Sequence, residues 1–165
     1  MQGSLRLEGK KVILNSFTRE DAETLVRWRS DIDFTRYFLN SNPITMESHL
    51  QWFAGYLEDE DRVDFVITAK DTGEQIGTCG MKNMSGGRPE ISYAIGEKQY
   101  RGKGYAKDAI LTMLDYIKNV LKLHAAEAGI HEKNIASQQL AERVGFRPWS
   151  AMPGREDFML YKVDL

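Results

Sequence analysis

Cysteine is almost missing from this chain. Cys79 is the one thiol in 165 residues, so no disulfide can close within it and nothing points to an oxidising compartment. Proline is scarce and scattered, four in all, which leaves no proline-rich linker between separate units. Long apolar runs are missing too: mean hydropathy is −0.46, and no stretch approaches the roughly 20 residues that span a bilayer. There is no charge excess. Lys+Arg number 22 against 24 Asp+Glu, a net charge of −2 with a pI near 6.0. Nucleic acid as the main partner is therefore not expected, because phosphate-backbone affinity needs clustered positive charge. The opening residues Met1 to Glu8 show no apolar leader, and Gln2 stands where myristoylation needs a glycine. Tyr161 to Leu165 carry no lipidation box. The expectation is a cytoplasmic protein with no membrane partner, and the sequon Asn83-Met84-Ser85 reads as chance.

What is present suits one packed unit over residues 1–165. Apolar residues make up 42% and aromatics 10% of an 18.9 kDa chain, enough to bury a core without staples. Alternation predicts a first strand over 11–17. Thr18-Arg19-Glu20-Asp21 reads as a helix start, with Ala22, Leu25, Val26 and Arg29 along one face. A second helix is expected over 46–57, then strands over 63–69 and 75–81 joined by the turn Asp71-Thr72-Gly73. A strand over 90–95 follows, then the strongest helical stripe in the chain over 104–121. A strand over 124–130, a helix over 135–144 and strands around Phe146 and over 158–163 close the pattern. The order β-α-α-β-β-β-α-β-α-β-β predicts an α/β (α+β) fold, a mixed and mostly antiparallel sheet flanked by helices.

The chemistry gathers between Glu90 and Ala106. A strand runs into a glycine-spaced loop that opens onto the long helix. First-turn amides lack internal partners, and the helix dipole places roughly half a positive charge there. Gly102 and Gly104 permit close backbone approach, and Arg101, Lys103 and Lys107 add cations. The expected guest is a phosphate or pyrophosphate. Three familiar phosphate loops fail on the letters. Gly96 to Lys103 is one spacer too long for a Walker A loop and Gly104 replaces its Ser/Thr; Lys107 stands where a dinucleotide fingerprint needs its third glycine; no HRD or DFG of a kinase exists.

What does fit is Q-x-x-G-x-G, here Gln99 to Gly104, followed by Tyr105-Ala106. It resembles the acetyl-CoA signature of the GNAT superfamily of N-acetyltransferases. Asn134 to Phe146, an N-x-x-S helix ending in Gly145-Phe146, is similar to the family's second signature. Arg6 to Gly9, Asp21 and Trp28-Arg29 resemble the opening of the RimJ/RimL-type branch. The resemblance covers essentially the whole chain and implies acetyl-CoA as cosubstrate, with no metal. It implies a bulge that splays the 90–95 strand from the 124–130 strand, pantetheine in the gap, and pyrophosphate on the amides of Arg101 to Ala106. Gln99, Arg101, Gly102, Lys103, Gly104, Tyr105, Ala106 and Asn134 are thus the candidate cofactor contacts; for Asn134 an ordinary helix cap is the alternative.

The implied reaction is direct attack of an amine on the thioester in a ternary complex. Glu90 matches the position of a general base, against the plain alternative of a solvated strand start. A backbone N–H near Ala94 or Ile95 is the candidate oxyanion donor. Where many relatives carry a thiol-protonating tyrosine this chain has Ala141, and Ser137 is the candidate thiol contact, with a helix N-terminal role as its alternative. Tyr93, Tyr105 and Tyr161 are further donors to weigh.

His49, Trp52, Phe53 and Tyr56 fall at i, i+3, i+4, i+7, either a core stripe or an acceptor wall; Arg29 and Tyr93 join His49, Trp52 and Phe53 as candidate substrate contacts. The stretch is similar to relatives that acetylate nucleotide-linked amino sugars. His131-Glu132 opens like a zincin helix but lacks its second histidine, and Cys79 reads as a small buried residue. The expectation is an N-acetyltransferase, monomer or homodimer, acting on a protein N-terminus or a small amine. The rivals are an amino-sugar-nucleotide acetyltransferase and a non-catalytic acyl-CoA-binding domain, the latter favoured only by Ala141.

Overall fold

Burial along residues 62–69 decides the architecture. Val63, Phe65, Ile67 and Ala69 turn to one side of a strand and Asp64 and Val66 to the other, and all six are buried. Such a strand needs a cover on both faces. The computed structural model, which describes residues 3–165, supplies both. Met1 and Gln2, which begin the stretch read above for a leader, lie outside the described residues.

In chain order the elements are β1 (Arg6–Glu8), β2 (Val12–Ser16), α1 (Ala22–Arg29), α2 (Ile32–Thr35), α3 (Met46–Glu58), β3 (Arg62–Ala69), β4 (Gln75–Lys82), β5 (Glu90–Ile95), α4 (Tyr105–Asn119), β6 (Ala125–His131), α5 (Ile135–Arg143), β7 (Arg147–Met152) and β8 (Arg155–Asp164). They build a sheet in the order β1-β2-β3-β4-β5-β6-β8-β7, antiparallel except for the β5–β6 pair. The α/β class, the mixed sheet and the flanking helices are as expected. Two elements are additional: β1, whose three residues are too few to show a period, and α2, a single turn capped by Asp31, which accepts the Asp33 N–H at 2.9 Å.

On one face α4 presents Ala109, Ile110, Met113, Leu114 and Ile117, all buried, to the apolar rows of β2 to β6. This is the stripe that its sequence period foretold. On the other, Leu25, Trp28 and Phe34 pack over Val66. Cys79 is 2% exposed within the α4-side core.

The β5–β6 seam is short. Only Glu90↔Glu127 and Ile91↔Ala128 pair, and beyond Ile91 the two strands part. The expected bulge in β5 is not what parts them: the β4–β5 register runs unbroken from Lys82↔Glu90 to Gly77↔Ile95, and the sheet's register shifts lie on the β3–β4 and β7–β8 seams. What holds the end of β5 to β4 is Ile76, whose carbonyl accepts the N–H of both Gly96 (2.7 Å) and Glu97 (3.1 Å).

Candidate active site

The loop that leaves β5 is shaped by its glycines. Gly102 has φ +72° and Gly104, the residue capping α4, has φ +89°, both in the left-handed region. A Cβ on Gly102 would meet nothing within 4 Å, so the loop faces open space and presents backbone to it. The first turn of α4 adds its unpaired amides. Two cations are tied into the loop. The Arg101 Nε donates to the Ile95 carbonyl at 3.0 Å, and the Lys11 Nζ donates to the Lys103 carbonyl at 2.5 Å while lying 4.5 Å above the Tyr105 ring. These donors fit a bound pyrophosphate. Gln99 sits in the 3₁₀ turn Lys98–Tyr100 ahead of the loop, and Ala106 in the first turn of α4.

Behind the loop stands a brace. Tyr100 and Tyr105 are buried and meet edge to face at 5.3 Å. The Tyr100 hydroxyl pairs with Thr72 Oγ1 at 2.8 Å and the Tyr105 hydroxyl donates to Asp71 at 2.9 Å. The turn between β3 and β4 thus supports the loop, and Tyr105 can offer a ligand its backbone only. Asp108 adds an anchor: its carboxylate accepts the N–H groups of Lys10, Lys11 and Val12, holding the β1–β2 hairpin against the start of α4.

The gap between β5 and β6 has chemically distinct sides. Alternation along β5 turns Ile91, Tyr93 and Ile95 toward the α4-side core and Ala94 toward Trp28, so Glu90 lies on the face opposite Tyr93. Glu90 Oε1 is 3.8 Å from Lys82 Nζ and 3.4 Å from where a Gly129 Cβ would stand. Its side chain is 18% exposed, more enclosed than the solvated strand start weighed above. On the far face the Tyr93 hydroxyl meets Ser137 Oγ at 2.7 Å, joining β5 to α5. Burial raises Tyr93 above the ordinary tyrosine value, partly offset by that bond. Asn134 caps α5, its Oδ1 accepting the Ser137 N–H at 3.2 Å. Ala141 is 1% exposed within the main core.

A GNAT acetyltransferase family model, the acetyltransferase (GNAT) domain, matches residues 11–147. The chain belongs to the GNAT acetyltransferases. An uncharacterised N-acetyltransferase of Bacillus licheniformis, p20, is 33% identical over 84% of this chain and 80% of its own length. An uncharacterised protein of Methanocaldococcus jannaschii is 30% identical over 96% of this chain, which spans only 32% of that protein. The crystal structure of a domain from that organism superimposes with a TM-score of 0.84, covering 94% of this chain and 99% of the domain at 30% identity. The spermidine N-acetyltransferase of Vibrio cholerae, solved with CoA and spermine, shares the fold at a TM-score of 0.82 and 20% identity, covering 93% and 95% of the two chains. This chain is accordingly an acetyltransferase of a family that uses acetyl-CoA.

The acetyltransferase's other candidate contacts are less open than the sequence suggested. His49 and Phe53 are 4% and 7% exposed and stack at 6.3 Å, so they belong to the interior. Burial lowers His49 below the ordinary histidine value, and its Nε2 has no partner. Arg29 directs one guanidinium nitrogen to the carbonyls of Asn40 (2.9 Å) and Asn42 (3.3 Å), strapping the segment before α3. Trp52 alone of the α3 set is exposed, at 38%. Sequence reasoning missed the group on the Glu90 face: Tyr37 lies 5.0 Å from the His131 ring, His131 Nε2 is 3.6 Å from Asp157, and Arg155 bonds both Asp157 and the Leu39 carbonyl. The available signal was His131, two alternations along β6 from the partner of Glu90. Among the described residues no group of three or more His, Cys, Asp or Glu could hold a metal, and no helix is long and apolar enough to cross a membrane.

Proposed function

We propose that this enzyme transfers the acetyl group of acetyl-CoA to a primary amine, by direct attack in a ternary complex within one domain over residues 1–165. The observation that carries the reading is the two-faced gap: a carboxylate, Glu90, on one side of β5 and a hydroxyl pair, Tyr93 and Ser137, on the other. A thioester lying between them has a proton acceptor toward the incoming amine and donors toward the sulfur. Amides of Arg101 to Ala106 hold the pyrophosphate, Glu90 accepts the amine proton directly or through water, and a backbone N–H near Ala94 or Ile95 faces the carbonyl oxygen. The acceptor is a protein N-terminus or a small amine, approaching past His131, Tyr37 and Trp52. Both sizes of acceptor have precedent in similar proteins, named for tubulin in human N-acetyltransferase 9 and for spermidine in the Vibrio enzyme.

The test is CoA thiol release from acetyl-CoA against spermidine, an amino-sugar nucleotide and peptides with free N-termini. Amine-dependent release is expected, reduced on the order of 10²-fold or more in Glu90→Gln, with the deficit shrinking at high pH. CoA binding without release for any amine would favour the non-catalytic rival.

A further inference from the structure

Ser30, Thr35, Ser48 and Thr112, at or within the helices, each bond back to a carbonyl three or four residues behind, and Ser137 does not. Ser30 Oγ donates to the Val26 carbonyl at 2.8 Å and Thr112 Oγ1 to the Asp108 carbonyl at 2.7 Å, each four residues back. Ser137, the third residue of α5, has no helical carbonyl four residues behind it, and its hydroxyl turns across the gap to Tyr93 instead. A pair of hydroxyls holds two protons, and one bond between them uses one. Phenol is the stronger acid of the two, so the favoured arrangement has Tyr93 donating and the Ser137 proton left to point elsewhere.

The place matters as much as the bond. Tyr93 stands two residues beyond Ile91, the last residue of β5 that pairs with β6, and Ser137 lies on the helix that follows β6. The pair therefore bridges the two walls of the gap where they have parted.

We propose that Tyr93 is a positioning residue: by donating to Ser137 Oγ it aims the Ser137 hydroxyl proton at the sulfur of the CoA thiol. The proposal rests on the acetyl-transfer reading above. In that reaction the C–N bond forms, the C–S bond breaks with its electron pair on sulfur, and the amine proton leaves toward Glu90 or water. The sulfur departs as a thiolate held by the Ser137 O–H, and the hydroxyl pair itself gives up no proton. Tyr93 is a poor acid for that purpose. Its value lies above the ordinary tyrosine value of about 10, while a thiol ionises near 8.5, so proton transfer from phenol to thiolate runs uphill. Orientation, not protonation, is its task.

The probe is CoA alone, its bound thiol titrated by ultraviolet absorbance of the thiolate. In the wild type we expect the thiol of bound CoA to ionise about tenfold more readily than free CoA, one pKa unit lower. Ser137→Ala should abolish that shift, Tyr93→Phe should remove most of it, and Tyr93→Phe should add nothing in the Ser137→Ala background. Ser137→Thr, which keeps a hydroxyl, should retain the shift. In acetyl transfer Tyr93→Phe should lower kcat about tenfold with KM for acetyl-CoA unchanged. An unshifted thiol in the wild type, a Tyr93→Phe variant titrating like the wild type, or equal Tyr93 effects with and without Ser137 would each overturn the proposal. Failure of the wild type to bind CoA at all would instead strike the reading on which it rests.

Discussion

The indole N–H of Trp28 donates to the Glu97 carboxylate at 2.5 Å, and that oxygen also accepts from Arg27 at 3.0 Å. One residue earlier, Gly96 lies so close beneath the indole that a Cβ would stand 2.7 Å from its ring atoms. Helix α1 thus grips the chain where β5 ends and the glycine loop begins.

This grip sets an acid dependence. The Trp28 bond, then Arg27, holds Glu97 below the ordinary carboxylate value. A folded value below the unfolded one stabilises the protein above about pH 4.3, and that stabilisation fades as pH falls through the folded value. Glu97→Gln should cost roughly 1 kcal/mol at pH 7 and flatten the fall in melting temperature between pH 5 and 3. Parallel wild-type and variant melting curves over that window would contradict this.

His49 predicts a second window. Its value is lowered by burial, so protons bind the unfolded chain more readily and stability should decline as pH drops below about 6.5. Thermal melts of His49→Gln, which cannot take up that proton, should lose the decline between pH 7 and 5, whatever their offset at neutral pH.

At Gly104, φ of +89° is a conformation a β-branched residue resists. Gly104→Val should strain the loop by about 1–2 kcal/mol and abolish CoA binding in titration calorimetry while the circular dichroism stays native. Retained wild-type affinity in the folded variant would move the anion site elsewhere.

Ala141→Tyr is the substitution that family likeness invites and the packing forbids. The site is 1% exposed within the core, so the added ring should overpack it by about 1–3 kcal/mol or more. Chemical denaturation should show the loss, and turnover should not rise.

Local patterns were legible before the fold was known. The stripe of α4 and the glycine spacing after β5 announced the helix and the left-handed turn that opens it, because both depend on neighbours in sequence. The Asp71–Thr72 turn was read correctly as a turn, but its grip on Tyr100 and Tyr105 was not, since it depends on how β3 and β4 sit beside the loop. Tyr93 and Ser137 are 44 residues apart and nothing in the letters pairs them. His49 and Phe53 illustrate the opposite difficulty: an aromatic stripe at helical spacing looks the same whether it lines a groove or fills a core, and here burial makes it core.

The anchor at Asp108 has a consequence for how the protein comes into being. Its bond to the Lys11 N–H spans 97 residues, and Gly9 fits there only because a Cβ would collide with Asp108 and Thr112. During synthesis the N-terminal hairpin emerges long before its clamp exists, and closing so large a loop comes late. Lys11, which steadies the Lys103 carbonyl, rides on that hairpin. A nascent chain therefore completes this glycine loop and its anchors only after α4 has left the ribosome.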